Sequence, residues 1–295
     1  MNWQMTPYKE RKPDSQYRKL LKLILEKGTK REETWQGMPD ITYFGPPPMR
    51  FNLANGAPLI TEREISFWPS AIGEIFAFIN GARNLAELKK FGCHWWKNWA
   101  TEEKCAMFGL KKGDLGPGSY GAAFHDFPTP EGPTFNQFKA LVEKIKTRPW
   151  ERTHIITPWI PQFVISQNRQ VVVAPCHGWI HVQIINGCLN LQMNQRSADF
   201  PIGVPSNMIQ YAALTMALAQ VTGYKPGIFI HSFSDAHIYE NQKDHVREMI
   251  SREPKRLPTM TLNPDIKDIF DFLADHFTIS DYHPHPAITD IPVAI

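Results

Sequence analysis

Apolar positions recur along the chain at two spacings, and segments of the two kinds follow one another without a regular order. From Asp14 to Lys27 the apolar residues Tyr17, Leu20, Leu21, Ile24 and Leu25 fall at helical steps, which predicts a helix ended by Gly28. Ser66 to Gly81 predicts a strongly apolar helix carrying one acid, Glu74, among Ile72, Ile75, Phe76 and Phe78. Phe135 to Thr147 and Met208 to Val221 predict two more helices, the second closed by Gly223. The extended runs are Ile41 to Leu53, broken by Pro46-Pro47-Pro48, then His154 to Trp159 after a turn at Pro149–Thr153, Phe163 to Val173, and His181 to Gln195. The last reads as a β-hairpin with Asn186-Gly187 as its two-residue turn. Residues 113–135, rich in Gly, Pro and aromatics, predict an ordered loop with short elements. Strands and helices mixed in this way, without βαβ alternation, indicate an α+β fold. No repeat or linker interrupts the chain, so one domain over 1–295 is expected, with 1–30 as an N-terminal arm and helix.

Composition narrows the class. The chain has 295 residues, 42% hydrophobic and 21% charged, enough to bury a substantial core and unlike a disordered chain. A net charge of +3, dispersed apart from Lys9–Pro13, gives no reason to expect nucleic acid as a partner. No apolar run approaches membrane-spanning length, and Met1–Met5 lacks the pattern of a signal peptide, so a soluble cytoplasmic protein is expected. Cys93, Cys105, Cys176 and Cys188 form neither a disulfide framework nor a CxxC pair, and no metal site is expected.

The candidate chemistry centres on Cys176 in Ala174-Pro-Cys-His177 and on Arg196, twenty residues on. The predicted hairpin folds its second arm back, so the arginine can lie beside the cysteine and favour its thiolate. The alternative for Cys176 is a small apolar filler before a strand. Asn207, after the turn Gly203-Val-Pro-Ser206, is either the N-cap of the Met208 helix or a carboxamide that reads a heterocycle edge. Asp235-Ala-His237-Ile-Tyr239 alternates polar side chains on one face of an extended segment, which suits paired hydrogen bonds to a hydroxyl.

These motifs, with Gln195-Arg-Ser-Ala-Asp199 and the C-terminal His283-Pro-His-Pro286 and Pro292-Val-Ala-Ile295, resemble the folate-dependent thymidylate synthase family in order and spacing from about Phe44 onward. The resemblance implies an α+β fold with helices packed on a mixed sheet and a homodimer formed through that sheet. It implies transfer of a one-carbon unit from 5,10-methylenetetrahydrofolate to C5 of a pyrimidine nucleoside monophosphate. In that setting Cys176 attacks C6, Arg196 supports the thiolate and binds phosphate, and Asn207 holds the base. Glu74 organises proton transfers, and Tyr120 is implicated in loss of the C5 proton. Gln195, Ser197 and Asp199 belong to the nucleotide site, and His237 and Tyr239 bind the sugar hydroxyl. Arg152 is lent by the partner subunit to the phosphate. Trp96, Trp99, Asp199, Gly203 and Ile295 form the folate side.

The departures from the family pattern are also specific. Trp35 and Thr153 stand at usual arginine positions, leaving Arg31 or Lys30 as possible substitutes at the phosphate. Ser206 replaces an aromatic, Trp95 an aliphatic and Lys97 an acid, and Gly118-Ser119 adds one residue before Tyr120. Trp95 is a candidate to restore stacking area lost at Ser206. Methyl transfer to a uracil nucleotide is the first expectation, a pyrimidine nucleotide 5-hydroxymethylase the second, and a catalytically silent nucleotide- or RNA-binding homologue the third.

Overall fold

The computed structural model describes residues 3–294; Ile295, expected to close the folate side, lies outside the described residues. The main sheet contains β1 (Thr29–Arg31), β2 (Asp40–Phe44), β3 (Met49–Asn52), β4 (Ile155–Ile156), β5 (Trp179–Ile185), β6 (Cys188–Asp199) and β7 (Lys225–Tyr239). Its order is β1-β2-β7-β6-β5-β4, with β3 also pairing with β7. A separate antiparallel pair joins β8 (Thr259–Leu262) to β9 (Phe277–Ser280). The helices are α1 (Gln16–Lys27), α2 (Trp68–Ile79), α3 (Leu85–Lys90), α4 (Glu102–Ala106), α5 (Tyr120–His125), α6 (Gln137–Thr147), α7 (Pro161–Val164), α8 (Gly203–Thr222) and α9 (Lys243–Ser251). The architecture is mixed α+β.

The hairpin between β5 and β6 turns at Asn186-Gly187, where both residues have positive φ, 51° and 73°. That is the backbone whose twist matches the flanking strands, and it explains the Asn-Gly pair. β6 and β7 are parallel. A parallel pair cannot be joined by a tight turn, so α8 makes the crossover and covers one face of the sheet. Leu189, Leu191, Met193 and Gln195 of β6 point into that covered face, while Asn190, Gln192 and Asn194 stay half-exposed on the other. α8 is sandwiched between the sheet and α2, which explains why both helices are apolar on nearly every side.

Three sequence expectations change. Phe163–Val173 is not a strand: α7 and an irregular loop occupy it, and Val172 N–H donates to Leu115 O in the 113–118 loop. Pro161 starts that helical turn, where a missing N–H does no harm. The strand expected over His154–Trp159 shrinks to β4, because Pro158 and Pro161 cannot donate to a ladder. α8 begins at Gly203 rather than Met208, with Pro205 tolerated in its first turn. Asn207 is therefore inside the helix and is not its N-cap.

No helix among the described residues is long and apolar enough to cross a membrane.

Candidate active site

Because β6 and β7 run parallel, their C-terminal ends finish side by side. A cavity of about 530 Å³ opens there, lined from β6 by Gln195, Ser197 and Asp199 and from β7 by His237 and Tyr239. α2 contributes Glu74, α5 contributes Tyr120, and the first turns of α8 bring Gly203, Ser206 and Asn207. Trp95, Trp96 and Trp99 form an aromatic wall, Cys176 and His177 another side, and Ile288, Ile291, Val293 and Ala294 of the C-terminal segment a cover.

Cys176 is half-buried, and its loop is tied to β6. Arg196 N–H donates to Cys176 O at 2.7 Å, while its guanidinium donates to Pro175 O at 2.7 Å and Ala174 O at 2.9 Å. Arg196 Nη2 also lies 3.6 Å from Cys176 Sγ, so the structure brings the two together as expected. Burial pushes the Cys176 thiol up, against the pull of Arg196 and Arg169. The resting group is a thiol, which donates to Ala174 O at 3.4 Å. The arginines lower the free energy of forming the thiolate without making it the resting state. Behind the loop, Tyr120 Oη accepts the Cys176 N–H at 2.6 Å and the His177 N–H at 3.4 Å. Burial raises the Tyr120 phenol well above its ordinary value, so it stays protonated.

Glu74 is buried, 6% exposed, and not on an outer helix face. Trp95 Nε1 and Trp96 Nε1 both donate to its Oε1 at 2.5 Å, and Gln210 Nε2 donates to its Oε2 at 2.5 Å. Burial raises its pKa although these donors oppose the shift. Trp95 thus takes a task other than stacking. Its N–H holds the carboxylate, and its ring meets Phe67 edge-on at 6.1 Å. The close approach of the tryptophans depends on Gly73, where a Cβ would lie 1.9 Å from Phe91 O.

On the β7 side, His237 and Tyr239 meet edge to face at 5.1 Å. Asp199 accepts from Gln242 and Ile202 N–H, and burial pushes it up to about 6 against the pull of His237. Gln242 also donates to Pro292 O at 2.9 Å, tying the C-terminal segment to Asp199. An aromatic wall and a hydrogen-bonding carboxyl in one cavity suit a flat heterocycle that stacks and donates hydrogen bonds. Arg152 is exposed at the β4 edge, where its carbonyl meets His181 Nε2 at 3.1 Å. It does not line this cavity.

Neither substitute expected at the phosphate is free. Arg31 is bound to Asp40 at 2.6 and 3.1 Å, and exposed Lys30 pairs with Glu32 at 2.8 Å. The cation beside Trp35 is instead Arg169, whose guanidinium lies 5.8 Å from that ring and 4.5 Å from Phe108. Its charge is felt at both Cys176 and Arg196. Arg169 and Gln210 escaped sequence reasoning, since a lone Arg in a polar loop and a Gln within an apolar helix carry no spacing signal. The family model described as thymidylate synthase matches residues 15–295, nearly the whole chain.

Proposed function

The chain belongs to the thymidylate synthase family, folate-dependent one-carbon transferases acting on pyrimidine nucleotides, and from that premise we propose that it methylates C5 of dUMP. The observation that carries this reading is Cys176 Sγ under Arg196 at 3.6 Å, in one cavity with Glu74, Tyr120 and Asn207. Cys176 Sγ adds to C6 of the pyrimidine and makes C5 nucleophilic. C5 bonds to the one-carbon unit as that unit's first C–N bond to the folate opens. C5 then loses its proton as the second C–N bond breaks, and hydride or water adding to the methylene left on C5 expels Cys176 Sγ and restores the ring. Methylenetetrahydrofolate supplies the one-carbon unit and, for a methyl product, the hydride. Glu74 and Tyr120 handle protons at C4 and C5. Arg196, Ser197 and Arg169 hold the phosphate, and His237 and Tyr239 hold the sugar hydroxyl. Trp96, Trp99, Asp199 and Gly203 seat the pterin, and the C-terminal segment through Ala294 excludes water.

The half-exposed sheet face, with exposed Ile155, Trp179 and Ile185, supports a homodimer in which Arg152 reaches the partner's site. A second reading, hydroxymethyl transfer, is favoured by Ser206, which leaves the cavity wall without its aromatic while Trp95 is engaged by Glu74. Tritium release from 5-tritiated dUMP with methylenetetrahydrofolate tests both readings, on protein shown by sedimentation to be dimeric. Mass spectrometry of the product separates methyl from hydroxymethyl. Cys176→Ser is expected to abolish release. Release by that variant, or none from any pyrimidine nucleotide with the folded wild type, overturns the proposal.

A further inference from the structure

Behind the base-reading amide runs an unbroken line of buried polar groups. Gln195 Nε2 donates to Asn207 Oδ1 at 3.0 Å, Asn207 Nδ2 donates to Gln210 Oε1 at 2.8 Å, and Gln210 Nε2 donates to Glu74 Oε2 at 2.5 Å. Gln195, Asn207, Gln210 and Glu74 are all buried, and Gln210 has no exposed surface. An amide can be turned end for end, but each end of this line is set by its neighbours. Glu74 Oε1 takes the two indole N–H groups and Oε2 takes Gln210 Nε2, which leaves Gln210 Oε1 to face Asn207. At the other end Gln195 Nε2 also donates to the Ser197 carbonyl at 3.1 Å, which holds that amide in its orientation. His231 Nε2 meets Gln195 Oε1 at 2.7 Å, consistent with the neutral ring donating there. Asn207 sits between the two with no freedom of sense.

We propose that Gln210 is a positioning residue that fixes the polarity of the Asn207 carboxamide and thereby the base this site admits. The inference rests on the nucleotide reading above and deepens it. The amide presents its N–H on the Glu74 side and its carbonyl on the Gln195 side. With C6 at Cys176 and C5 toward Glu74, uracil offers O4 and then N3–H in that order. Cytosine offers N4–H and then N3, the reverse. Admitting cytosine requires the Asn207 amide to turn, which sets Nδ2 against Gln195 Nε2 and Oδ1 against Gln210 Oε1. Both contacts are buried, where an unmatched donor or acceptor is strongly disfavoured.

Calorimetric binding of dUMP and dCMP to the full chain tests this without requiring turnover. Wild type is expected to prefer dUMP by about a hundredfold or more, the effect of two reversed buried contacts. Gln210→Met, of similar volume but without either contact, removes one of the two reversed contacts while Gln195 keeps the other, and is expected to reduce that ratio to about tenfold. Gln210→Glu, protonated on the oxygen that meets Glu74, keeps an acceptor facing Asn207 and is expected to retain the preference. A wild-type ratio persisting in folded Gln210→Met overturns the proposal, as does its loss in Gln210→Glu or a wild type that binds both nucleotides alike or neither. If Gln210→Met shows no cooperative unfolding transition, Gln210→Glu decides alone. A dUMP preference without tritium release sinks the methyl-transfer reading and leaves this one standing.

Discussion

The Arg169 guanidinium is held by two aromatic faces and by the carbonyls of Val171 and Val172, which take Nε and Nη2 at 3.1 and 3.2 Å. Aromatic faces attract a cation without using its hydrogens, so Nη1 is left without a protein partner among the described residues. Burial and then the neighbouring Arg196 lower the pKa of Arg169, yet a guanidinium keeps its charge. An anion arriving between the two arginines relieves their repulsion. Arg169→Gln is therefore expected to raise the KM for the nucleotide at least about tenfold, the low end of a lost charge-assisted contact. kcat should change little, and affinity for the phosphate-free nucleoside should not change. Equal weakening for nucleotide and nucleoside would assign Arg169 to loop structure instead. Cys176, Glu74 and Asn207 were legible because their motifs set them apart. What the sequence could not convey is which partner each would take, since Trp35 and Arg169 meet only after folding.

At the scale of elements, the site depends on how closely α2 passes the 91–96 segment. A Cβ on Gly73 would lie 1.9 Å from Phe91 O, so backbone must move for any side chain to fit. Gly73→Ala is expected to destabilise the protein by about 1–3 kcal/mol, as overpacked sites do. It also pulls Trp95 and Trp96 away from Glu74. Thermal unfolding should show the first effect, and a fall in kcat beyond the loss of folded protein the second; an unchanged midpoint refutes the account. The hairpin and long helices were legible because turn chemistry and periodicity agree along each of them. Phe163–Val173 was not. Its β-branched residues have strand composition, but Val172 bonds to the 113–118 loop, a choice made by tertiary packing.

For the molecule as a whole, buried carboxyls couple stability to pH, and Glu62 shows how. Glu62 is 2% exposed, with Oε1 unpartnered and Oε2 accepting Thr61 N–H at 2.9 Å. Around it converge the chain's distant parts: Arg252 donates to Glu62 O and Pro286 O, and His285 N–H to Thr61 O. Burial pushes Glu62 up to about 7, from an ordinary value of 4.5. The folded state holds this proton more tightly than the unfolded chain, so its contribution is complete below about pH 4.5 and is lost as pH rises through about 7. The loss amounts to about 3 kcal/mol. Asp199, raised to about 6, adds in the same sense. His177, held neutral by burial with a value of about 3, acts oppositely and weakens the fold as pH falls below its unfolded range. Glu62→Gln is expected to flatten the decline in unfolding midpoint between about pH 5 and 7.5 without abolishing it, because Asp199 remains. An unaltered slope refutes the assignment.

Glu74 Oε1 is shared by the indole hydrogens of two neighbouring tryptophans. Any change in charge on that oxygen is felt by both rings at once. In a nitrogen-15 spectrum, two of the nine tryptophan indole resonances therefore shift together as Glu74 gains a proton or a ligand. The protein carries a built-in spectroscopic gauge of its own buried acid, readable before any substrate is turned over.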